Sequence, residues 1–81
     1  MLMTPMAILP FRTKSYASQI YLQGSQRFTE RDGYSGIPIE YRTPVKQYVG
    51  ENPAYTDSII AYALEQTWLL QQEYDDTMAY R

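Results

Sequence analysis

Leu, Ile, Val and Phe together supply only 16 of the 81 residues. A chain so poor in aliphatics sits near the compositional edge of disorder. Disorder also needs a high net charge, and here the formal charge is only −2. The apolar volume must therefore come from four Met, one Trp and above all nine Tyr. A single core of this size supplies no more than about 3–5 kcal/mol. With no Cys to cross-link the chain, the natural source of further stability is a partner surface. The length fits one small domain, residues 1–81.

The same composition narrows the chemistry. Without Cys there is no disulfide, thiolate nucleophile, Cys-ligated zinc or iron–sulfur cluster. Without His the usual general base and the commonest metal ligand are missing. Catalysis could rest only on carboxylates, Lys, Ser/Thr or Tyr, so the expectation is a protein that is not an enzyme. The apolar run from Met1 to Pro10 contains two prolines and lacks the positive charge that precedes a signal-peptide core. It is also too short to cross a bilayer. The expected location is host cytoplasm or a virion, with no membrane partner.

Charge is divided along the chain. Residues 1–50 carry +3 and residues 51–81 carry −5. The halves attract, which fits either a mildly polarised globule or head-to-tail association of identical copies. The cations are scattered and the pI is about 4.9, so no nucleic-acid partner is expected.

The first half reads as strands and turns. Residues 17–22 and 26–29 flank a Gly-containing link at Gly24, a hairpin signal. Asp32-Gly33 marks another turn. Ile37, Ile39 and Tyr41 alternate at period two, with Pro38 confining that strand to an edge. Residues 1–15 read as a possible extended apolar arm, 16–42 as strand-rich and 43–81 as helical. In the second half Thr43-Pro44 suits a helix start and Gly50 a left-handed helix end. Thr56 can cap the next helix, and Ile59, Ile60, Ala63, Leu64, Thr67 and Trp68 form a stripe at helical spacing. The expected fold class is therefore α+β: a small antiparallel β-hairpin or three-stranded sheet followed by two or three C-terminal helices. Tyr34, Tyr41, Tyr48, Tyr55 and Tyr62 recur every seven residues, but the intervening Gly and Pro forbid the continuous helix of a coiled coil.

Val45-Lys46-Gln47-Tyr48-Val49, Tyr55-Thr56-Asp57, Ile60, Ala63-Leu64-Glu65-Gln66, Trp68-Leu69 and Gln72-Glu73-Tyr74-Asp75 follow one another in a distinctive order and spacing. In this pattern residues 45–78 resemble the XkdX-like small proteins of phage and prophage tail modules. The family pattern carries Gly before the Trp and Thr two residues after it, where one helix stops and the next is capped. This chain has Thr67 and Leu70 there. One continuous helix and two short ones remain open on sequence grounds. The resemblance implies a phage-encoded, tail-associated context rather than a mechanism, and it does not reach residues 1–40.

No constellation of residues points to chemistry. Glu73, Asp75 and Asp76 are the densest carboxylates, and they read as a solvated helix face rather than a magnesium or calcium site. Ser15, Ser18 and Ser58 have no His to activate them, and no phosphate-binding Gly-Lys-Ser/Thr is present. No catalytic residue, metal ligand or cofactor is assigned. Tyr and Trp are favoured at protein interfaces, which makes Leu2, Met3, Met6, Ile8, Tyr16, Tyr21, Tyr34, Tyr41 and Trp68 the candidate partner interface. Tyr48, Tyr62 and Tyr74 instead read as support for the helical half. The expected function is a non-enzymatic protein-binding or assembly module, phage-encoded and tail-associated. It would bind a virion, tail or host protein, or copies of itself as a homo-oligomer. The competing readings are a small phage-encoded inhibitor of a host enzyme or defence protein, and a small ligand- or nucleotide-binding domain.

Overall fold

The computed structural model describes residues 8–81. Leu2, Met3 and Met6, expected as contacts, lie outside them. Pro10 opens the first helix, α1 (Pro10–Ala17), where its missing N–H and fixed φ suit the first turn. Thr13 and Ala17 of α1 face inward, followed by Ile20 and Tyr21. The helix passes directly into a wider π-helical segment, Ser18–Gln23. Gly24, at φ 65°, ends it in the left-handed conformation, with its N–H donated to the Gln19 carbonyl.

This helical start corrects the α+β expectation. Among the described residues there is no strand and no sheet, and the isolated bridge between Arg31 and Tyr34 merely closes a turn. The run 17–22 pairs with nothing, because its buried residues follow the i, i+3, i+4 spacing of Ala17, Ile20 and Tyr21. A short apolar run fits that spacing as well as period two. The expected face of Ile37, Ile39 and Tyr41 does not exist either. Ile37 and Tyr41 are buried while Ile39 is 69% exposed at the start of a 3-10 turn, Ile39–Tyr41. Residues 10–15 are helical rather than an extended arm.

Residues 24–38 hold no regular element of their own, yet Arg27 organises them from within. Its guanidinium donates to the carbonyls of Gly24 and Gln26, each at 2.9 Å, and to the Asp32 carboxylate at 3.1 Å. The same group lies 4.4 Å over the Tyr34 ring. Phe28 and Ile37 pin the segment to the core. Gln26 Oε1 accepts the N–H groups of Arg27 and Gly36, which closes the loop.

Three helices form the second half: α2 (Arg42–Glu51), α3 (Asp57–Glu65) and α4 (Gln71–Met78). The 3-10 turn leads into α2, which thus begins ahead of Thr43-Pro44. Gly50 is not a left-handed helix end but an interior residue of α2. It is small because α4 crosses there: a methyl group at Gly50 would overlap the Thr77 carbonyl and the Tyr80 side chain. Thr56 caps α3 by accepting the Ile59 N–H at 3.2 Å.

The helix of residues 57–81 does break at Trp68. Gln66 is the last half-turn of α3, Thr67 adopts φ 65°, and the chain reverses. Thr67 N–H donates to the Leu64 carbonyl and Trp68 N–H to the Ala63 carbonyl, both at 2.9 Å. That pair of bonds is the Schellman motif, with Thr where Gly is preferred. Leu70 then occupies the N-cap of α4 without a side-chain oxygen to offer. Glu73 supplies only the reciprocal half of the cap, accepting the Leu70 N–H at 2.8 Å.

Val45, Val49, Ile60, Ala63 and Leu69 provide the aliphatic centre. Aromatic rings complete it in a chain of edge-on contacts, from Phe28 to Tyr21 at 5.9 Å, Tyr21 to Tyr55 at 6.1 Å and Tyr55 to Tyr48 at 6.1 Å. The Tyr21 hydroxyl is satisfied inside by Thr77 Oγ1 at 2.6 Å, and Thr77 also bonds the Glu73 carbonyl. Burial pushes the Tyr21 phenol well above its ordinary value, and that of Tyr55 up as well. At the chain end Arg81 donates to the carbonyls of Val49 and Tyr55 and pairs with Asp57 at 3.3 Å. It thereby adds a second donor to the Val49 carbonyl at the end of α2, which also accepts the Asn52 N–H at 3.2 Å.

Candidate functional site

The carboxylates of α4 do not converge. The buried Glu73 is spent on the Leu70 N–H, Asp75 on Gln71, and Asp76 on Lys46 at 2.8 Å and Gln72 at 2.8 Å. Among the described residues, no group of three or more Asp and Glu could hold a metal ion. The hydrogen bond from Lys46 holds the Asp76 carboxyl below the usual carboxylate range. These two residues line a cavity of about 320 Å3 with Thr43, Ala79 and Tyr80. Their mutual pairing leaves neither a free amine nor a free base in it. Lys46–Asp76 is also the single ion pair that joins the basic first half to the acidic second half among the described residues.

A second depression, about 290 Å3, lies between the π-helical segment and α3. Tyr21 forms its floor, and Leu22, Ser58, Ile59 and Tyr62 form its walls. Leu22 is 48% and Tyr62 51% exposed. The π segment is what places Leu22 here: one helical segment buries Ile20 and Tyr21 while turning Leu22 outward. Tyr62 does not hang free. Its ring meets the Trp68 indole edge-on at 5.6 Å, and the half-buried Trp68 is seated against Gly24, where a methyl group would overlap the indole. Two left-handed helix ends, at Gly24 and Thr67, thus fix the Trp that braces the exposed Tyr.

The residues expected at an interface scatter. Tyr21 and Tyr41 are core residues: Tyr21 bonds Thr77, and the Tyr41 hydroxyl accepts the Leu9 N–H at 3.1 Å. Tyr16 packs on Tyr41 with ring centroids 5.1 Å apart. Tyr34 is half-buried under Arg27. Ile8 is exposed at the start of the described chain. Of the expected contacts, Tyr21 forms the buried floor of the groove and Trp68 stands beside it, packed on Tyr62. Leu22, Ile59 and Tyr62 escape the sequence reading because Leu22 reads as a strand residue, Ile59 as part of the core stripe and Tyr62 as support for the helical half. The exposed Phe11 was missed too. The stripe of Thr13, Ala17, Ile20 and Tyr21, starting after Pro10, is the signal that separates the buried face from Phe11 and Leu22.

Among the described residues no helix is long and apolar enough to cross a membrane. No family model, no curated protein and no solved structure matches the chain.

Proposed function

We propose that the protein is a non-enzymatic protein-binding module whose contact surface is the groove of Leu22, Ile59 and Tyr62. The observation that carries this is an exposed Tyr held rigid by Trp68 beside an exposed Leu. Aromatic anchors of this kind dominate protein interfaces, and a ring already fixed before binding loses little entropy on contact. The groove is open and apolar, with the Ser58 hydroxyl and the Tyr62 phenol as polar handles. The tail-module context and a role in phage assembly rest on the resemblance of residues 45–78 alone.

The test is the native size of the chain in an extract of the cells that produce it. The wild-type chain is expected to elute well above 9.5 kDa, and Leu22→Arg or Tyr62→Arg to return it to the monomer position. A wild-type chain that elutes as a free monomer in the extract and also stays monomeric when purified and concentrated, or variants that leave a large complex unchanged, would contradict the reading.

A further inference from the structure

Charge is segregated more sharply than the totals suggest. Residues 1–29 contain no Asp or Glu, and residues 51–80 contain no Lys or Arg. On the basic side, α1 presents Phe11, 68% exposed, with Arg12 and Lys14 exposed beside it. Neither cation makes an ion pair among the described residues. Ile8 and Leu9, also exposed, extend this apolar end. The groove is lined by uncharged side chains and has an acidic neighbour. Its walls are Leu22, Ile59 and Tyr62. Glu65, three residues beyond Tyr62 on the same face of α3, is exposed and makes no ion pair among the described residues.

An uncovered phenyl ring flanked by two cations complements an apolar slot with a carboxylate at its rim. We propose that the groove receives the Phe11 end of α1 from a second copy of this chain. The inference rests on the reading of the groove as a protein-docking surface and names its occupant. Donor and acceptor are different surfaces of one molecule, so the contact is heterologous. Each added copy leaves one free groove and one free Phe11 end, and copies join head to tail. The apolar contact holds the pair, while Arg12 and Lys14 facing Glu65 set its direction. A patch of this size makes a weak interface that forms with rising concentration.

The test is light scattering on the purified chain up to about 1 mM, a range that captures small-patch contacts. The mass is expected to climb above 9.5 kDa with concentration and to fall back at high salt. Phe11→Asp and Tyr62→Arg, both at exposed positions, are each expected to stay monomeric with unchanged helical circular dichroism. Mixed in equal amounts, they retain one good groove and one good Phe11 end between them. The mixture is expected to reach twice 9.5 kDa and no further. Leu22→Arg serves as a second groove variant should Tyr62→Arg lose its helical signal. Glu65→Lys is expected to weaken association about threefold, as a rim charge does, and the added change Lys14→Glu to recover it. A purified wild-type chain that stays monomeric throughout overturns the proposal. So does a variant mixture that stays at the monomer mass, or a Phe11→Asp chain that associates like wild type. A chain that is monomeric when pure but large in the extract overturns this proposal alone and leaves the broader reading standing.

Discussion

The helix ends at Gly24 and Thr67 adopt the same left-handed φ of 65° and meet at the same indole, yet they are built from different residues. At Gly24 the backbone conformation and the space coincide: glycine is needed for the turn and for the close approach of Trp68. At Thr67 only the conformation demands it, and a β-branched residue bears the steric cost. The first end is fixed by two requirements at once, whereas the second is held by the packing around it. Strain at Thr67 persists because Trp68 and Leu69 are pulled into place beyond it.

The largest effect is expected where both requirements fall together. Gly24→Ala should lose about 2–3 kcal/mol of stability, combining overlap with the indole and the left-handed backbone. Chemical denaturation measures this. In a Trp68→Ala background the same change should cost only about 1 kcal/mol, because the steric part has gone. Equal costs in both backgrounds would show that the indole does not press on Gly24.

The core that Trp68 closes gives a second, pH-dependent effect. The Tyr21 phenol has a folded pKa raised by burial above its unfolded value near 10. Its contribution is therefore complete below pH 10 and lost as pH rises from there toward the folded value. Stability should fall by up to about 1.4 kcal/mol per pH unit above about pH 10. Tyr21→Phe should flatten that decline at the expense of about 1 kcal/mol for the lost bond to Thr77. Denaturation midpoints between pH 8 and 11 give the comparison.

Two changes should sharpen the contrast in the opposite direction. Thr67→Gly is expected to stabilise the protein by about 1 kcal/mol, since the Schellman bonds already exist and only the backbone penalty is removed. Leu70→Thr should add about 0.5–1 kcal/mol by giving α4 the cap oxygen that Leu lacks. Both are expected to raise the thermal midpoint. In a continuous helix Thr67→Gly would lower it instead.

These two positions also mark what was legible in the sequence. The XkdX-like pattern placed a helix boundary at Thr67 and Leu70, but the residues standing there carry weak stop and start signals. The sequence therefore left one helix and two equally open. Thr56 was readable because a capping Thr followed by Asp is a local signal. The first half was not readable, since Ala17, Ile20 and Tyr21 satisfy both periods and Gly24 looks the same in a hairpin as at a helix end. Gly50 and Arg27 act through contacts distant in sequence or through a loop fold, which no local pattern encodes. Beside the candidate site Trp68 is an expected contact, while Tyr62 reads as support for the helical half because its helix position alone does not reveal that α3 leaves that side open.

The most direct test of the account is a photocrosslinker at Tyr62, set against one at the exposed Ser35 on the loop that Arg27 holds together. In cells that produce the protein, the Tyr62 position is expected to give one dominant protein adduct that disappears with Leu22→Arg, while Ser35 gives none. Equal labelling from both positions, or no adduct from Tyr62, would contradict the claim that the groove is the contact surface.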